Sequence, residues 1–157
     1  MINYERTELP LYEEYKRIKL PYQLGDLEQI ISLATMRFHY DILHQNYEKK
    51  LLETLRGRKI EEESKIEKQF PTLEELMRNL EQLPEEVKND VRFFGGGLIN
   101  HNFFFAHLAK FEPNRKEHEL EDKISPLLLN LIQEKFTDLK ELKKRLVKSA
   151  LKIKGNG

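Results

Sequence analysis

From Thr35 to Arg56 the chain contains neither glycine nor proline, and the run ends only at Gly57. Within it Met36, Tyr40, Leu43, Tyr47, Leu51 and Leu55 recur every three or four positions, with Phe38, Ile42 and Leu52 alongside. Apolar residues at that spacing share one stripe of a helix, so the pattern predicts a long amphipathic helix over roughly residues 35–56. Such a rod must lay its stripe against something else, which sets the fold class. No convincing alternating strand, internal repeat or low-complexity block accompanies it, and the chain reads as nearly all helical.

The segment before the rod, residues 1–34, carries Pro10, Pro21 and Gly25 and few periodic apolar positions, so it reads as an extended arm. After the rod, Gly57 to Lys68 is mostly Lys, Arg and Glu of both signs, a solvated helix end and linker. Thr72 followed by Glu75 is a capping-box signal for a short helix over about 73–82. Pro84, Glu85 and Glu86 mark another start, because proline fits a first turn and acids offset the helix dipole. That helix would carry Val87, Val91 and Phe94 toward the run Gly95, Gly96, Gly97. Beyond it Ile99, Phe103, Phe104, Phe105 and Leu108 form the most apolar stretch, which should be central to the core. Residues 109–123 read as a surface loop and a boundary. Ser125 and Pro126 then open a helix that buries Leu127 to Leu129, Leu131 and Ile132, and Thr137 caps a last helix carrying Leu139, Leu142, Leu146 and Leu151. Gly155, Asn156 and Gly157 form a turn signature.

Composition narrows the chemistry. Among 157 residues, 27 Lys and Arg balance 27 Asp and Glu, and 39% are apolar, enough for a thin core. Zero net charge removes the electrostatic case for a general nucleic-acid or membrane-surface binder, so neither is an expected partner. No apolar run is long enough to span a membrane. The first 19 residues, with Glu5, Glu8, Glu13 and Glu14, fit neither a secretory nor a transit signal, which makes the cytoplasm the default location. The absence of cysteine excludes disulfides, thiolate metal sites and cysteine nucleophiles.

Any metal must therefore use His, Asp, Glu or Tyr. His39 and His44 lie five residues apart, about 140 degrees around a straight α-helix, so they cannot share an ion on one. His101 and His107, six apart, diverge likewise, and no His-Glu-x-x-His pair is present. A metal site must combine different helices. The glycine run lacks the Lys and Ser or Thr of a phosphate loop. Three glycines beside so many phenylalanines instead let a backbone pass close to another element. No Ser, His and Asp spacing suggests a nucleophilic triad.

Leu20, Pro21, Tyr22, Leu27, Glu28, Ile31, Ser32, Thr35, Met36, His39, Tyr40, His44, Gln45 and Tyr47 together resemble the opening of an iron/manganese superoxide dismutase. Gly95, Gly96, Gly97, Ile99, Asn100, His101 and Phe104 resemble that family's second motif. The resemblance implies a mostly α-helical chain. Residues 20–110 would form the family's helical-hairpin N-terminal domain after an extension over 1–19. Residues 119–157 would hold the first helices of its α/β C-terminal domain, without the sheet. It further implies that His39 and His101 are metal ligands from two antiparallel helices and that Tyr47 is the tyrosine near the substrate entrance. His44, Gly97 and Phe105 would surround them. One manganese or iron per chain is implied where the site is completed, with superoxide as substrate and a homo-oligomer as the assembly. Gly97 stands where the manganese type resembles it and the iron type would carry Gln, which favours manganese.

Several positions depart from the family. Leu43 and Leu98 stand where it usually has His, Phe93 and Phe94 replace an asparagine-rich lead-in, and Phe105 replaces the usual Trp. Loss of polar groups around a metal commonly changes affinity or activity by about 10 to 100-fold, so a weaker catalyst is expected. The family's last two ligands come from an Asp-x-x-x-His motif with no counterpart here, so the chain alone is expected to be inactive. The alternative is a dismutase-like structural subunit of a larger assembly. Its support is the basic stretch from Lys135 to Lys154, where eight Lys or Arg face Asp138 and Glu141.

Overall fold

A computed structural model describes residues 12–57, 64–114 and 123–153. The expected turn at Gly155 to Gly157 and most of the extension over 1–19 lie outside the described residues. The chain divides into two compact units, Met1–Phe111 and Glu112–Gly157.

The first unit is built on the predicted rod. Ser32 starts it, its hydroxyl accepting from the Thr35 N–H at 3.2 Å. The rod comprises α1 (Leu33–Arg37), a π-helical segment (Phe38–His44) and α2 (Gln45–Arg56). Gly57 ends it at φ 58°, a left-handed position that glycine adopts at no steric cost. Two short helices follow, α3 (Lys65–Gln69) and α4 (Leu73–Arg78), each opened by a capping box, Ser64 with Glu67 and Thr72 with Glu75. A 3-10 turn (Leu80–Gln82) leads to α5 (Glu85–Ala106).

α5 does not pause at the glycines but runs straight through all three. Glycine costs about 1 kcal/mol per residue inside a helix, so packing must override propensity there. The contacts show how. Tyr47 of α2 lies against Gly97 and Leu51 against Gly95, while His39 meets His101, so the two helices run antiparallel. Leu51, Leu55, Val91 and Leu98 from this pair join Leu73, Leu76, Phe70, Leu83 and Tyr15 in one buried cluster. A second cluster, Ile18, Leu27, Met36 and Phe105, surrounds the π-helical end. The arm is tied down by polar contacts: Tyr15 donates to the Phe70 carbonyl, and Ile18 N–H donates to Asn102 Oδ1 at 3.1 Å.

The second unit pairs α6 (Pro126–Phe136) with α7 (Leu139–Ala150). Ser125 caps α6 as expected, accepting from Leu128 N–H at 3.3 Å. The cap of α7 is Asp138 rather than Thr137, because the Asp carboxylate accepts from Glu141 N–H at 2.7 Å. Thr137 instead ends α6 at φ 77°.

Three further expectations are corrected. Only Phe105 of the triple phenylalanine is core; Phe103 and Phe104 are 51% and 40% exposed, because consecutive helical residues point around the axis and one face alone meets the rod. Within 57–68, Glu67 is buried rather than solvated, since Arg56 clasps its carboxylate at 2.6–3.0 Å. Of the leucines on α6, Leu127, Leu128 and Leu131 are exposed and Ile132 is buried. Among the described residues there is no strand, and no helix is long and apolar enough to cross a membrane.

Two stability predictions follow from these local features. Replacing Thr137, a β-branched residue at positive φ, by Gly relieves strain of about 1 kcal/mol, read as a higher urea midpoint of the α6–α7 unit. Burial pushes the Glu67 carboxyl up, and the Arg56 guanidinium and Ser64 N–H outweigh that effect, leaving it below the ordinary carboxylate range. Its stabilisation is therefore present at neutral pH and lost as pH falls through the depressed value. Glu67→Gln should cost about 1–3 kcal/mol at pH 7 and flatten the acid limb of a stability–pH titration.

Candidate metal centre

The π-helical segment decides which side chains meet. In a straight α-helix His39 and His44 would diverge, but π winding, with i→i+5 bonds, brings residues five apart to nearly the same side. Both rings then reach His101 on α5: His39 at 4.9 Å between ring centroids, edge-on, and His44 at 5.4 Å, stacked at 30°. The expected divergence of His39 from His44 thus fails, because the helix is not α where it was assumed to be. Tyr47, one turn into α2, lies 4.9 Å from His101. Phe105 packs against His39 at 5.0 Å and against His44 at 5.4 Å.

Gly97 serves two neighbours. A Cβ there would fall well inside contact distance of Cγ, Cδ1 and Cε1 of the Tyr47 ring, so only glycine leaves room for that ring. Its carbonyl lies 2.7 Å from His101 Nδ1. A carbonyl only accepts, so Nδ1 is the donor of this bond and Nε2 is the nitrogen turned away from it. His107 makes the same bond to the Phe103 carbonyl at 2.7 Å, but on an exposed face away from the other imidazoles. The bond alone therefore defines no site; the neighbours of His101 do.

Burial favours the neutral form of His39 and His44. His39 is held below the usual histidine range, first by burial and then by His101. His44 is fully buried and pushed down to about 3, again by burial first and His101 second. Hydrogen bonding to the Asn102 side chain and the Leu98 backbone opposes part of that downward push. Neutral imidazole is the form that binds metal.

Tyr47, His39, His101, His44, Gly97 and Phe105 are thus brought into one patch. Three residues outside that set belong with them. Phe104 lies 5.0 Å from His39, and Tyr40 lies 5.5 Å from His44 beneath the Arg17 guanidinium, 4.8 Å above the Tyr40 ring. Tyr40 stood in the periodic stripe and read as core, while Arg17 came from an arm with no periodic signal. Neither position announces its partner in the sequence.

The donor set fits part of a manganese or iron centre. Imidazole suits these ions, and His39 and His101 supply two adjacent imidazoles. Among the described residues no group of three or more His, Cys, Asp or Glu side chains is placed so that it could hold a metal ion.

An antiparallel helical hairpin with one imidazole on each arm, facing each other across a glycine-lined contact, is the class that fold and site define. Residues 14–109 match the family of iron/manganese superoxide dismutases, alpha-hairpin domain. The chain belongs to the iron/manganese superoxide dismutase family. Relatives include "Superoxide dismutase [Mn/Fe] 2" from Staphylococcus aureus strains Mu50 and N315, each 36% identical over 103 residues. That match covers 66% of this chain and 46% of each relative, so the chain spans about half the length of the relatives it matches.

The glycine contacts rank two substitutions. Gly97→Ala forces the whole Tyr47 ring to move and should cost about 1–3 kcal/mol, with the proximity of Tyr47 to His101 lost in NMR cross-peaks. Gly95→Ala meets the thioether sulfur of Met77 at 2.6 Å, a flexible end that can swing aside, and should cost less.

Proposed function

We propose that this chain carries the hairpin of a superoxide dismutase, in which His39 and His101 supply two of the ligands to a manganese or iron ion. The single observation that supports this most is the 4.9 Å approach of those two rings from antiparallel helices. The metal, when bound, would take an electron from one superoxide, releasing oxygen, and return it to the next, which takes up two protons from solvent to become hydrogen peroxide.

The chain's own residues have narrower tasks. The Gly97 carbonyl holds the His101 ring by Nδ1, with Nε2 turned away from that bond. Phe105, fully buried, closes the floor beneath His39 and His44. Tyr47, half-buried beside His101, is the protic group assigned in this reading to the substrate entrance. Gly97 in place of Gln favours manganese. Two imidazoles fall short of the three protein ligands that catalytic metal sites usually keep, so turnover requires the family's remaining Asp and His ligands. The 157-residue chain by itself should not dismutate superoxide. Self-association and a cytoplasmic location belong to the same proposal.

The test is metal analysis of the purified chain with His39→Ala and His101→Ala. Each should lower affinity for manganese by about 10-fold or more, without a matching loss of helix content by circular dichroism. Retention of full metal affinity by both variants would sink the assignment.

A further inference from the structure

Tyr40, the residue after His39, is held at three points by two consecutive residues of the arm. The Arg17 guanidinium donates to the Tyr40 carbonyl at 2.8 Å and lies 4.8 Å above the Tyr40 ring, and the Tyr40 hydroxyl donates to the Ile18 carbonyl at 2.6 Å. On the facing helix the same stretch of arm holds Asn102, the residue after His101. Ile18 N–H donates to Asn102 Oδ1 and Asn102 Nδ2 donates to the Lys16 carbonyl, each at 3.1 Å. We propose that Arg17 is a positioning residue, which supplies a donor to the carbonyl that the π-helical turn leaves over and so fixes the winding that aims His39 at His101. The proposal deepens the metal reading above and rests on it for the role of the two rings.

The winding itself supplies the reason. A π bond runs from an N–H to the carbonyl five residues back and an α bond to the carbonyl four back, so a helix returning from π to α skips a carbonyl. The π-helical span ends at His44, whose N–H is paired by that rule with His39, while the N–H of Gln45 goes to the Ile42 carbonyl. Tyr40 falls between the two. A half-buried carbonyl without a donor costs stability, so this turn persists where a donor comes from outside the helix.

Arg17 suits that task by its shape. Its Nε donates to Glu48 Oε2 at 3.0 Å while Nη1 reaches the Tyr40 carbonyl, so one planar fork spans the π-helical turn and the first part of α2. The backbone N–H of Arg17 also points at Glu48 Oε2, at 3.4 Å, which sets the arm in register with the rod. Lysine, a single point donor, cannot occupy both places.

The test follows NMR cross-peaks between the His39 and His101 rings in the whole purified chain, with manganese affinity measured beside them. Arg17→Met should remove most of the cross-peak intensity and lower manganese affinity about 10-fold. Glu48→Gln, which removes the charge and keeps an acceptor for Nε, should retain the cross-peaks. Deleting Asp41, an exposed residue of the π-helical span, takes out the extra residue and restores α winding, with no carbonyl skipped. In that background Arg17→Met should leave the cross-peaks unchanged, which a purely structural role for Arg17 would not produce. Should Arg17→Met fail to fold, Arg17→Lys keeps the charge and should show the same loss in smaller measure. Wild-type cross-peaks in the folded Arg17 variant would overturn the proposal. So would an equal loss in Glu48→Gln, or an equal loss in the Asp41-deleted chain, since Arg17 would then act through its charge or its packing. If the wild type binds no manganese, the metal reading fails by itself, and the cross-peaks still decide whether Arg17 sets the winding.

Discussion

The close approach of α2 to α5 across Gly95 and Gly97 is the contact on which the rest of the first unit depends. Tyr47 rests on one glycine, and Met77 and Leu51 rest over the other. With any side chain at Gly97 the ring of Tyr47 must leave its place, and the helices can no longer sit close enough for His39 and His101 to meet. The apolar cluster of Leu51, Leu55, Val91 and Leu98 then supplies burial that offsets the low helix propensity of the glycines. Arg56 with Glu67 and Tyr15 with Phe70 fasten the loops and the arm to that pair.

The second constraint is the change of winding at Phe38–His44. An α-helix would deliver one histidine to α5 and direct the other elsewhere. The π-helical turn delivers both, with Tyr47 following on the regular helix. Local winding and glycine contact are thus coupled: the first aims the rings and the second brings them within reach. Tyr40 shows the same coupling from the far side, its hydroxyl donating to the Ile18 carbonyl at 2.6 Å while its ring meets His44 and Phe105.

Much of this was legible from the sequence, and the failures share a cause. The rod, the caps at Thr72 and Ser125 and the start after Pro84 follow from periodicity and end chemistry, which depend on neighbours in the chain. His39, His101 and Tyr47 were found through resemblance rather than spacing, because the contact between two helices is not encoded in either alone. The continuity of α5 through three glycines, the buried Glu67, the exposed Phe103 and Phe104 and the π-helical turn were missed. Each is decided by a partner distant in sequence: Tyr47 and Met77 for the glycines, Arg56 for Glu67, and the rod's single face for the phenylalanines. The Thr137 position was missed for another reason, since the carboxylate of Asp138 is the stronger cap and leaves Thr137 to take the unfavourable φ.

Where the local rules are broken is itself informative. Sequences that fold well agree with themselves at every level, and departures that persist tend to gather at functional sites. In the first unit the departures gather at one end of one contact. A π-helical turn replaces regular winding, Gly97 leaves room for the Tyr47 ring beside His101, and the His44 imidazole lies fully buried against the same ring. Elsewhere among the described residues of the unit, charges are paired and helix starts are capped. Random drift toward instability would scatter such costs through the fold. Their concentration on one ring is the pattern that a functional patch, rather than a purely structural one, would leave.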